Sequence, residues 1–278
     1  MKDKQILITG ASSGIGKETA RALGNLGAHI FFTGRHREKD LNIQEELRQD
    51  TGNPDIYYYH CDLASFESIT AFTSEFKKSY KALDILINNA GIWNSKKVLT
   101  RDGIESHLAV NYLAPFLMTS QLLPLLKNSP SARIINLTSG IHFRGKLDLD
   151  DLEFNRRKWR SIDAYTQSKL CNILFTRSLA GKLIGTNISV NCIAPGWVNT
   201  GLFRDAVQVV KISASLLAMS PMKAARGLVH LAAAGELEDV SGEYFAGMNI
   251  RKSSPASYDR QLSDKLWKKS EEYLKDYI

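Results

Sequence analysis

The stretch Thr9-Gly10-Ala11-Ser12-Ser13-Gly14-Ile15-Gly16 decides the fold class of this chain. It follows an apolar strand predicted over residues 5–9 and opens a helix predicted over residues 15–26. Glycines here permit a tight turn and let backbone N–H groups approach a pyrophosphate at the helix N-terminus. The spacing is GxxxGxG rather than GxGxxG, and by itself it could be a simple strand-to-helix connection. Its place at the first strand of a strand–helix series favours dinucleotide binding.

Short apolar strands alternate with amphipathic helices along most of the chain, a pattern typical of a parallel sheet covered on both faces. We predict strands near 5–9, 29–33, 56–60, 84–88, 133–137, 189–193 and 243–246. We predict helices at 15–26, 39–51, 66–80, 102–127, 163–184, 221–234 and 255–275. The sequence therefore predicts an α/β fold.

Composition is that of an ordinary globular protein, with 278 residues, 44% hydrophobic and 23% charged. No linker or repeat divides the chain, so we expect one domain. The cysteines Cys61, Cys171 and Cys192 are scattered, as in a reduced intracellular compartment. The first strand begins too early to leave room for a signal peptide, and no stretch approaches 18 apolar residues. We expect a cytoplasmic protein without a membrane-spanning segment.

The distribution of charged residues and of histidines argues against two kinds of ligand, nucleic acid and metal ions. The net charge of +7 is explained by a solvated basic surface, with a phosphate-rich ligand accounting for part of it. The basic residues form no long stripe with interleaved aromatics, so we predict no nucleic-acid partner. The six histidines form no HxxxH pair, so we predict no metal site.

Tyr165 and Lys169 lie four residues apart in the helix predicted over 163–184. Residues at that spacing share a face, with Cβ atoms ~6 Å apart, so the hydroxyl and the ammonium can be aimed at one point. A cation ~4 Å away would lower the tyrosine pKa, ordinarily ~10, by roughly three units before desolvation opposes it. We expect Tyr165 to act as a general acid or base, with Lys169 depressing its pKa.

The end of the second predicted strand indicates which dinucleotide binds. An acidic residue there would accept the ribose 2′-OH of NAD, whereas an arginine suits the 2′-phosphate of NADP. The chain has Arg35 at this point and no carboxylate until Glu38. The planar guanidinium of Arg35 pairs well with phosphate, and Arg37 could help or could be a solvated helix start. We therefore predict NADP(H).

Two further segments follow strand ends at the cofactor side. Asp62, before Leu63, places a carboxylate past the third strand, where it could accept from an adenine amino group. Asn89, Ala90 and Gly91 follow the fourth strand and offer amide donors and a close backbone approach. Each segment could also be ordinary turn chemistry.

With these motifs in view, the chain resembles the short-chain dehydrogenase/reductase family over essentially its whole length. The resemblance is carried by the glycine turn, Asn88-Asn-Ala-Gly91, Asn111, Ser139, Tyr165-xxx-Lys169 and Pro195-Gly196. It implies one Rossmann-type doubly wound domain over residues 1–278, with about seven parallel strands and helices on both faces. It also implies hydride transfer between NADP(H) and a carbonyl or alcohol group, and a homodimer or homotetramer.

The resemblance assigns a catalytic tetrad of Asn111, Ser139, Tyr165 and Lys169. Tyr165 would exchange a proton with the substrate oxygen, and Ser139 would hydrogen-bond that oxygen as negative charge develops. Lys169 would hold the nicotinamide ribose, and Asn111 would support a water that links Lys169 to solvent. The residues assigned to cofactor binding are Gly10, Ser12, Ser13, Gly14, Ile15, Gly16, Arg35, Asp62, Leu63, Asn89, Ala90, Gly91, Tyr165, Lys169, Pro195, Gly196, Val198 and Thr200.

The interval between Ser139 and Tyr165 is longer than the family's usual one, which makes Ile141–Asp163 an insertion. With Tyr244-Phe245 and Leu266-Trp267-Lys-Lys-Ser270, it resembles the retinol dehydrogenase-like branch. Members of that branch often reduce retinal and other lipophilic carbonyl compounds with NADPH, and many carry an N-terminal membrane anchor, which we do not expect here. We expect a soluble carbonyl reductase of unassigned substrate.

Two regions after strand ends, 140–162 and 202–220, are predicted to be the substrate loops. The second brings the apolar residues Leu202, Phe203, Val207, Val210, Leu216 and Leu217. These could line a pocket for a lipophilic substrate or simply pack the loop onto the sheet.

Other interpretations stay open at this point. We expect Leu122 and Leu174 to point outward and pair across a two-fold axis in a dimer. A nucleotide-sensing interaction protein with little turnover could keep the same fold, although it would have no chemical need for Tyr165 and Lys169 together. An epimerase or dehydratase on this fold is a further enzymatic alternative.

Overall fold

The structure is a computed structural model that describes residues 1–196 and 219–278. Within these residues the strands, in chain order, are β1 Gln5–Thr9, β2 His29–Gly34, β3 Ile56–His60, β4 Ile85–Asn88, β5 Ala132–Leu137, β6 Ile188–Ala194, β7 Tyr244–Ala246 and β8 Asn249–Ile250. The first seven confirm the predicted strands, with ends that differ by at most one residue.

The α-helices in the described residues surround this sheet. They are α1 Gly14–Asn25, α2 Arg37–Thr51, α3 Phe66–Ser79, α4 Ser106–Leu108, α5 Ala114–Lys127, α6 Ser161–Lys182, α7 Pro221–Ala233 and α8 Arg260–Leu274. The predicted helix 102–127 starts later, because Leu99 and Glu105 form a β-bridge before it. The predicted helix 255–275 is split, because Asp259 caps α8 by accepting from the N–H of Leu262 at 2.9 Å.

The sheet has the strand order β3-β2-β1-β4-β5-β6-β7-β8. All neighbouring strands are parallel except β7 and β8, which form an antiparallel pair around Gly247 with φ +62°. This short pair explains why the sheet has eight strands and the sequence predicted about seven. The chain runs outward from β1 through β2 to β3 and then returns to β4 on the other side of β1. A doubly wound sheet binds its ligand at such a switch point, beyond the carboxyl ends of β1 and β4.

Alternate residues of the strands face two different helical layers. Ile6 and Ile8 of β1 pack in a core with residues of α1 and α7, whereas Leu7 packs in a core with residues of α3, α5 and α6. Both cores are fully buried, which is why the strands are apolar on both faces. The fold is therefore the single α/β doubly wound domain that the sequence predicted.

A π-helical turn, Ala109–Leu113, joins α4 to α5. Together they form a helix over Ser106–Lys127, the one helix in the described ranges that is long and apolar enough to cross a membrane. In this fold 78% of its most apolar window is buried. A buried core helix passes the same test of length and composition.

The C-terminal helix α8 covers the face of α5 and α6 that we expected to form a dimer. Leu122 and Leu174 are completely buried inside the chain, so the prediction that they point outward is wrong. Ser263 donates from its hydroxyl to the carbonyl of Leu174 at 3.0 Å, and the Trp267 ring lies 4.7 Å from the ring of Phe116. Helix α8 of the same chain therefore covers the apolar surface that we expected a second copy of the chain to cover.

The insertion after Ser139 is largely packed onto the domain. Leu152 and Phe154 are buried, and the carboxylate of Asp151 accepts from the backbone N–H groups of Asn155 at 2.7 Å and Arg157 at 2.9 Å. Burial would raise the pKa of Asp151, but these hydrogen bonds outweigh it and lower that pKa to about 2. The middle of the predicted substrate loop 140–162 therefore packs against the core.

Candidate active site

The glycine turn between β1 and α1 depends on close backbone approaches. Gly10 has φ +68°, a left-handed conformation that favours glycine. A Cβ atom at Gly10 would lie 2.9 Å from Cα of Ala90, and one at Gly16 would lie 2.6 Å from the carbonyl oxygen of Gly10. Side chains do not pack this closely, so both glycines are required where the turn meets the loop after β4.

Hydrogen bonds tie the same turn to that loop. The side-chain amide of Asn89 donates to the carbonyls of Thr9 at 2.8 Å and Gly10 at 3.1 Å. The hydroxyl of Thr9 accepts from the backbone N–H groups of Asn89 and Ala90, both at 3.1 Å. Asn89 and Ala90, which were predicted to bind the cofactor, therefore also hold the two sides of the crevice together.

The N-terminus of α1 lies at the carboxyl edge of the sheet. Ser13 is its N-cap, with φ −167°, and the Ser13 side chain makes no capping hydrogen bond. The first turn of α1 contains no acidic residue. Uncapped N–H groups at the positive end of a helix dipole hold phosphate groups well. Ser12, Ser13, Gly14 and Ile15 lie at this N-terminus, and their contact with a pyrophosphate stays a prediction.

A polar pocket of about 350 Å³ lies beyond the ends of β2 and β3. Its lining side chains are all polar or charged: Arg35, His36, His60, Asp62, Ser65, Ser68 and Arg101. Arg35 is exposed, and its Nε donates to Nε2 of His36 at 3.2 Å. Asp62 accepts from the N–H of Ala64 at 3.0 Å, a turn contact that the sequence had left open. The pocket is lined by two arginines, Arg35 and Arg101, and by one carboxylate, that of Asp62. This excess of positive charge suits a phosphate group better than a pair of ribose hydroxyls.

Asn111 lies in the π-helical turn and is fully buried. Its Oδ1 accepts from the N–H of Ile92 at 2.7 Å, and its Nδ2 donates to the carbonyl of Ile92 and to the hydroxyl of Ser168, both at 3.1 Å. Its backbone carbonyl accepts from Nδ2 of Asn172 at 2.9 Å. π-turns are frequent at functional sites. Here the turn lets Asn111 join the loop after β4 to α6.

Ser139, Tyr165 and Lys169 come together at the carboxyl end of β5. Tyr165 is 5% exposed, and its hydroxyl lies close enough to the Ser139 side chain for the two to interact. Lys169 lies one turn further along α6, with Nζ 5.6 Å from the centroid of the Tyr165 ring, and donates to the carbonyl of Leu137 at 3.2 Å. A Cβ at Gly91 would lie 3.4 Å from that Nζ, so Gly91 leaves room beside the ammonium.

The protonation of Tyr165 differs from the expectation. Burial raises the pKa of Tyr165 above its ordinary value, and the hydrogen bond with Ser139 only partly opposes this. Burial lowers the pKa of Lys169 to about 8. The prediction that Lys169 depresses the Tyr165 pKa is therefore wrong for the chain by itself, because the ammonium is directed at the Leu137 carbonyl. Tyr165 keeps its proton, as a proton donor must.

The far end of the predicted cofactor site is described only in part. Pro195 and Gly196 follow β6, and Gly196 has φ +90°. A Cβ at Gly196 would lie 3.5 Å from Cε of Met219. Val198, Thr200 and the predicted substrate loop 202–220, apart from its last two residues, lie outside the described residues.

Sequence reasoning missed a group of aromatic rings beside Tyr165, which we call the aromatic wall: Trp93, His107 and Trp159. The Trp93 ring lies 4.8 Å from the Tyr165 ring, and the His107 ring lies 6.2 Å from it. Trp159, at the end of the insertion, lies 6.1 Å from His107. A carbonyl compound that reaches Tyr165 would meet the partly exposed Trp93 ring on this side, with His107 buried behind it.

A buried carboxylate fixes the aromatic wall. Glu105 accepts from Nδ1 of His107 at 2.8 Å, from Nε1 of Trp159 at 3.3 Å and from the N–H of Leu108 at 3.0 Å. The N–H of Asn94 donates to Nε2 of His107 at 3.0 Å, so Nδ1 must carry the ring proton. Burial would raise the pKa of Glu105, but the hydrogen bonds outweigh it and lower the pKa.

Little in the sequence could have found this wall. Trp93 comes two residues after the Asn88–Gly91 motif, which is its one local signal. Glu105 and Trp159 are 54 residues apart and match no motif. Their partnership is created by the fold, which brings the start of α4 against the end of the insertion.

No group of three His, Cys, Asp or Glu side chains within residues 1–196 and 219–278 could hold a metal ion. Cys61, Cys171 and Cys192 are buried free thiols, and burial raises the pKa of each. The absence of a metal site stays a prediction for the whole chain.

Comparison with known proteins gives consistent matches. The family model described as short chain dehydrogenase matches residues 4–210. Retinol dehydrogenase 13 of Homo sapiens is 39% identical over 275 residues, which cover 96% of this chain and 83% of that protein. Polyprenol dehydrogenase of Homo sapiens is 35% identical, with 96% and 84% covered. The crystal structure of an uncharacterized protein from Mycobacterium Paratuberculosis superposes with a TM-score of 0.81 and 27% identity, and covers 99% of this chain and 94% of that chain.

Proposed function

This chain belongs to the short-chain dehydrogenase family, in its retinol dehydrogenase-like branch, and on that premise we propose that it reduces a lipophilic aldehyde or ketone with NADPH. Family membership makes it an oxidoreductase acting on alcohol and carbonyl groups. The proposal adds NADP(H) as the cofactor, Tyr165 as the proton donor and a lipophilic substrate. It is supported above all by the buried Tyr165 hydroxyl, which lies beside Ser139 and one helical turn from Lys169.

Three residues of the tetrad have distinct roles in the proposed reduction. The Tyr165 phenol is protonated at neutral pH, since its ordinary pKa is about 10 and burial raises it further, and it would donate that proton to a substrate carbonyl oxygen. Ser139 donates a second hydrogen bond to that oxygen as negative charge develops. Lys169, with a pKa of about 8, remains largely cationic at neutral pH and would hold the ribose hydroxyls of the nicotinamide nucleotide. A bound nicotinamide supplies the hydride.

The residues around the crevice fit a dinucleotide phosphate. Gly10 and Gly16 allow the close approach, and the uncapped N-terminus of α1 offers N–H groups to the pyrophosphate. Arg35 and Arg101 line the polar pocket past β2 and would face a 2′-phosphate. These groups would bind and orient the cofactor, and the choice of NADP(H) rests on the arginines.

The nature of the substrate is supported by the aromatic wall and by the relatives. The partly exposed Trp93 ring borders Tyr165 and offers a flat apolar surface to a substrate. Relatives that match nearly the whole chain are named for retinol and polyprenol, two long apolar alcohols. Each fully buried apolar side chain adds about 1.5–3 kcal/mol, so a few ring contacts favour a long substrate over a short one. We therefore propose a long-chain or isoprenoid carbonyl compound.

The test is the oxidation of NADPH, followed by absorbance, with decanal, all-trans-retinal and propanal as probes. We expect turnover that favours the two long substrates, and a decline above about pH 8 as Lys169 loses its proton. Tyr165→Phe should lower kcat by about 10²–10⁴-fold, the usual contribution of a positioned acid, because only the donor is lost.

The binding of NADPH to Tyr165→Phe, measured by fluorescence titration, is the control and should match the wild type. Turnover by Tyr165→Phe at the wild-type rate would exclude the proposed proton donor. NADPH binding without turnover of any probe by the wild type would favour the nucleotide-sensing alternative instead.

A further inference from the structure

His142 lies behind the catalytic serine and has no part in the mechanism above. It belongs to the 3₁₀ turn Gly140–Arg144 that follows β5, and its side chain is completely buried. Its Nδ1 lies 2.8 Å from the carbonyl oxygen of Ser139. Its Nε2 lies 3.0 Å from the backbone nitrogen of Ser254, which is 112 residues further along the chain.

The hydrogen bonds fix the tautomer of this ring. The backbone N–H of Ser254 can only donate, so Nε2 of His142 must accept. The single proton of the neutral ring is then on Nδ1, which donates to the Ser139 carbonyl. That carbonyl also accepts from the backbone N–H of His142 at 3.1 Å. Two hydrogen bonds from one residue therefore hold the Ser139 peptide.

The segment that presents the Ser254 N–H is itself anchored. The Ser253 hydroxyl accepts from Nη2 of Arg177 on α6 at 3.1 Å and lies 2.6 Å from the hydroxyl of Ser257. The His142 ring packs 4.9 Å from the Tyr244 ring of β7. The ring thus connects the catalytic turn to α6, β7 and the segment before α8.

The Ser139 side chain has weaker local support. Its hydroxyl accepts from the N–H of Ile141 at 3.4 Å, at the long end of a hydrogen bond. Its other neighbour is the hydroxyl of Tyr165, which must be free to face a substrate. The direction of the Ser139 side chain therefore depends on how firmly its peptide is held from behind.

We propose that His142 is a positioning residue that holds the Ser139 peptide through its Nδ1–H, so that the Ser139 hydroxyl stays in reach of Tyr165 and of the substrate oxygen. The proposal rests on the proposed function of Ser139. A misplacement of about 1 Å in such a group can cost about 10²-fold in rate. Reduced turnover with intact substrate binding is therefore the expected sign of losing this contact.

The charges that face His142 agree with a neutral ring. Burial lowers the pKa of His142, the hydrogen bond to Ser139 opposes this, and the Arg177 guanidinium lowers it further. Tyr244, the other titratable side chain packed against the ring, has its pKa raised to about 12 by burial and is uncharged at neutral pH. The net effect of these surroundings is a lowered pKa, which keeps the ring neutral.

Two substitutions separate the two ring nitrogens. In His142→Asn the amide stands where Nδ1 was and can donate to the Ser139 carbonyl. In His142→Gln the amide stands where Nε2 was and can accept from the Ser254 N–H, but the Ser139 carbonyl loses its donor. His230→Gln, in α7 on the opposite face of the sheet, is a matched control for removal of a histidine.

The readouts are kcat and KM with decanal, the Kd for NADPH, and the thermal midpoint. We expect His142→Gln to lose about 10²-fold in kcat, with KM and Kd unchanged, and His142→Asn to keep most of the wild-type kcat. His230→Gln should match the wild type in every readout. Equal losses of kcat in the Asn and Gln variants, or no loss in Gln, would overturn the proposal.

A second measurement uses only the wild-type chain and so does not depend on how the variants fold. ¹⁵N-labelled histidine NMR distinguishes a ring protonated on Nδ1 from one protonated on Nε2. The signal assigned to His142 should report the Nδ1–H tautomer at neutral pH. An Nε2–H tautomer would exclude the hydrogen bond from His142 to the Ser139 carbonyl and would overturn the positioning role. The proposed function would still stand if Tyr165→Phe lost its activity, because that result does not depend on His142.

Discussion

The cofactor end and the aromatic wall border the same crevice but are held together differently. At the cofactor end, the glycine turn meets the loop after β4 with backbone atoms too close for any side chain. At the wall, Glu105 and the rings are joined by side-chain hydrogen bonds between segments far apart in sequence. The first region should therefore be sensitive to a single added carbon atom, and the second to the loss of one charge.

Gly16→Ala is expected to have the largest effect, because it adds a carbon atom where the glycine turn is tightest. The new Cβ would lie 2.6 Å from the carbonyl oxygen of Gly10, so the turn must shift. Overpacking costs about 1–3 kcal/mol, and we expect the upper end in the free energy of unfolding. NADPH affinity should fall at least tenfold as well. Urea denaturation and fluorescence titration measure the two effects.

Gly181→Ala provides the matched control for that substitution. Gly181 lies near the end of α6, and a Cβ there would meet no atom within 4 Å. Alanine in a helix is better than glycine by about 0.5–1 kcal/mol, so this variant should be slightly more stable than the wild type. If the Gly16→Ala variant bound NADPH as tightly as the Gly181→Ala variant, close packing of the glycine turn would not determine cofactor binding.

Arg35→Ala tests the selectivity of the cofactor end. Hydrogen bonds to charged groups contribute about 1.5–3 kcal/mol, so the Kd for NADPH should rise about 10–100-fold. The Kd for NADH should hardly change, because NADH has no 2′-phosphate. Arg37→Ala is the control, since Arg37 begins α2 and does not line the polar pocket. Equal losses of affinity for both cofactors would show that Arg35 does not read the phosphate.

Glu105→Gln tests the aromatic wall. We expect a loss of about 2 kcal/mol in the free energy of unfolding at pH 7, because the buried hydrogen bonds lose their charged acceptor. The hydrogen bonds lower the pKa of Glu105 in the folded state. Its stabilising contribution is therefore present above the ordinary glutamate pKa of about 4.3 and is lost as the pH falls through the lower folded value.

The difference in stability between wild type and Glu105→Gln should accordingly shrink below about pH 4. Urea denaturation at pH 7 and at pH 3 provides the comparison. NADPH affinity at pH 7 should stay at the wild-type value, since Glu105 serves the aromatic wall. A constant difference at both pH values would mean that the charge of Glu105 does not stabilise the wall.

The last prediction concerns the molecular mass of the protein in solution. With α8 docked on α5 and α6, the expected helix pairing through Leu122 and Leu174 is blocked. We therefore expect sedimentation equilibrium at micromolar concentration to give the mass of one chain, 31.0 kDa. Twice that mass would point to a dimer through another surface, because both leucines are inside the fold.

Much of the cofactor end could be predicted because its determinants are local. The apolar alternation places β1, and the glycines follow within a few residues, so both are visible in one short window. Arg35 was found in the same way, as the residue after β2. The pKa of Tyr165 was predicted with the wrong sign, because spacing along a helix gives proximity to Lys169 but not the degree of burial.

The sequence by itself determined the strand–helix alternation, the glycine turn and the spacing of Tyr165 and Lys169, because each depends on residues a few positions apart. Only the tertiary structure decided what stands around them. It joined Glu105 to Trp159, His142 to Ser254, and α8 to the face of α6. Such contacts join residues tens of positions apart, and no local pattern of polarity or size specifies which distant partner a buried polar group will meet.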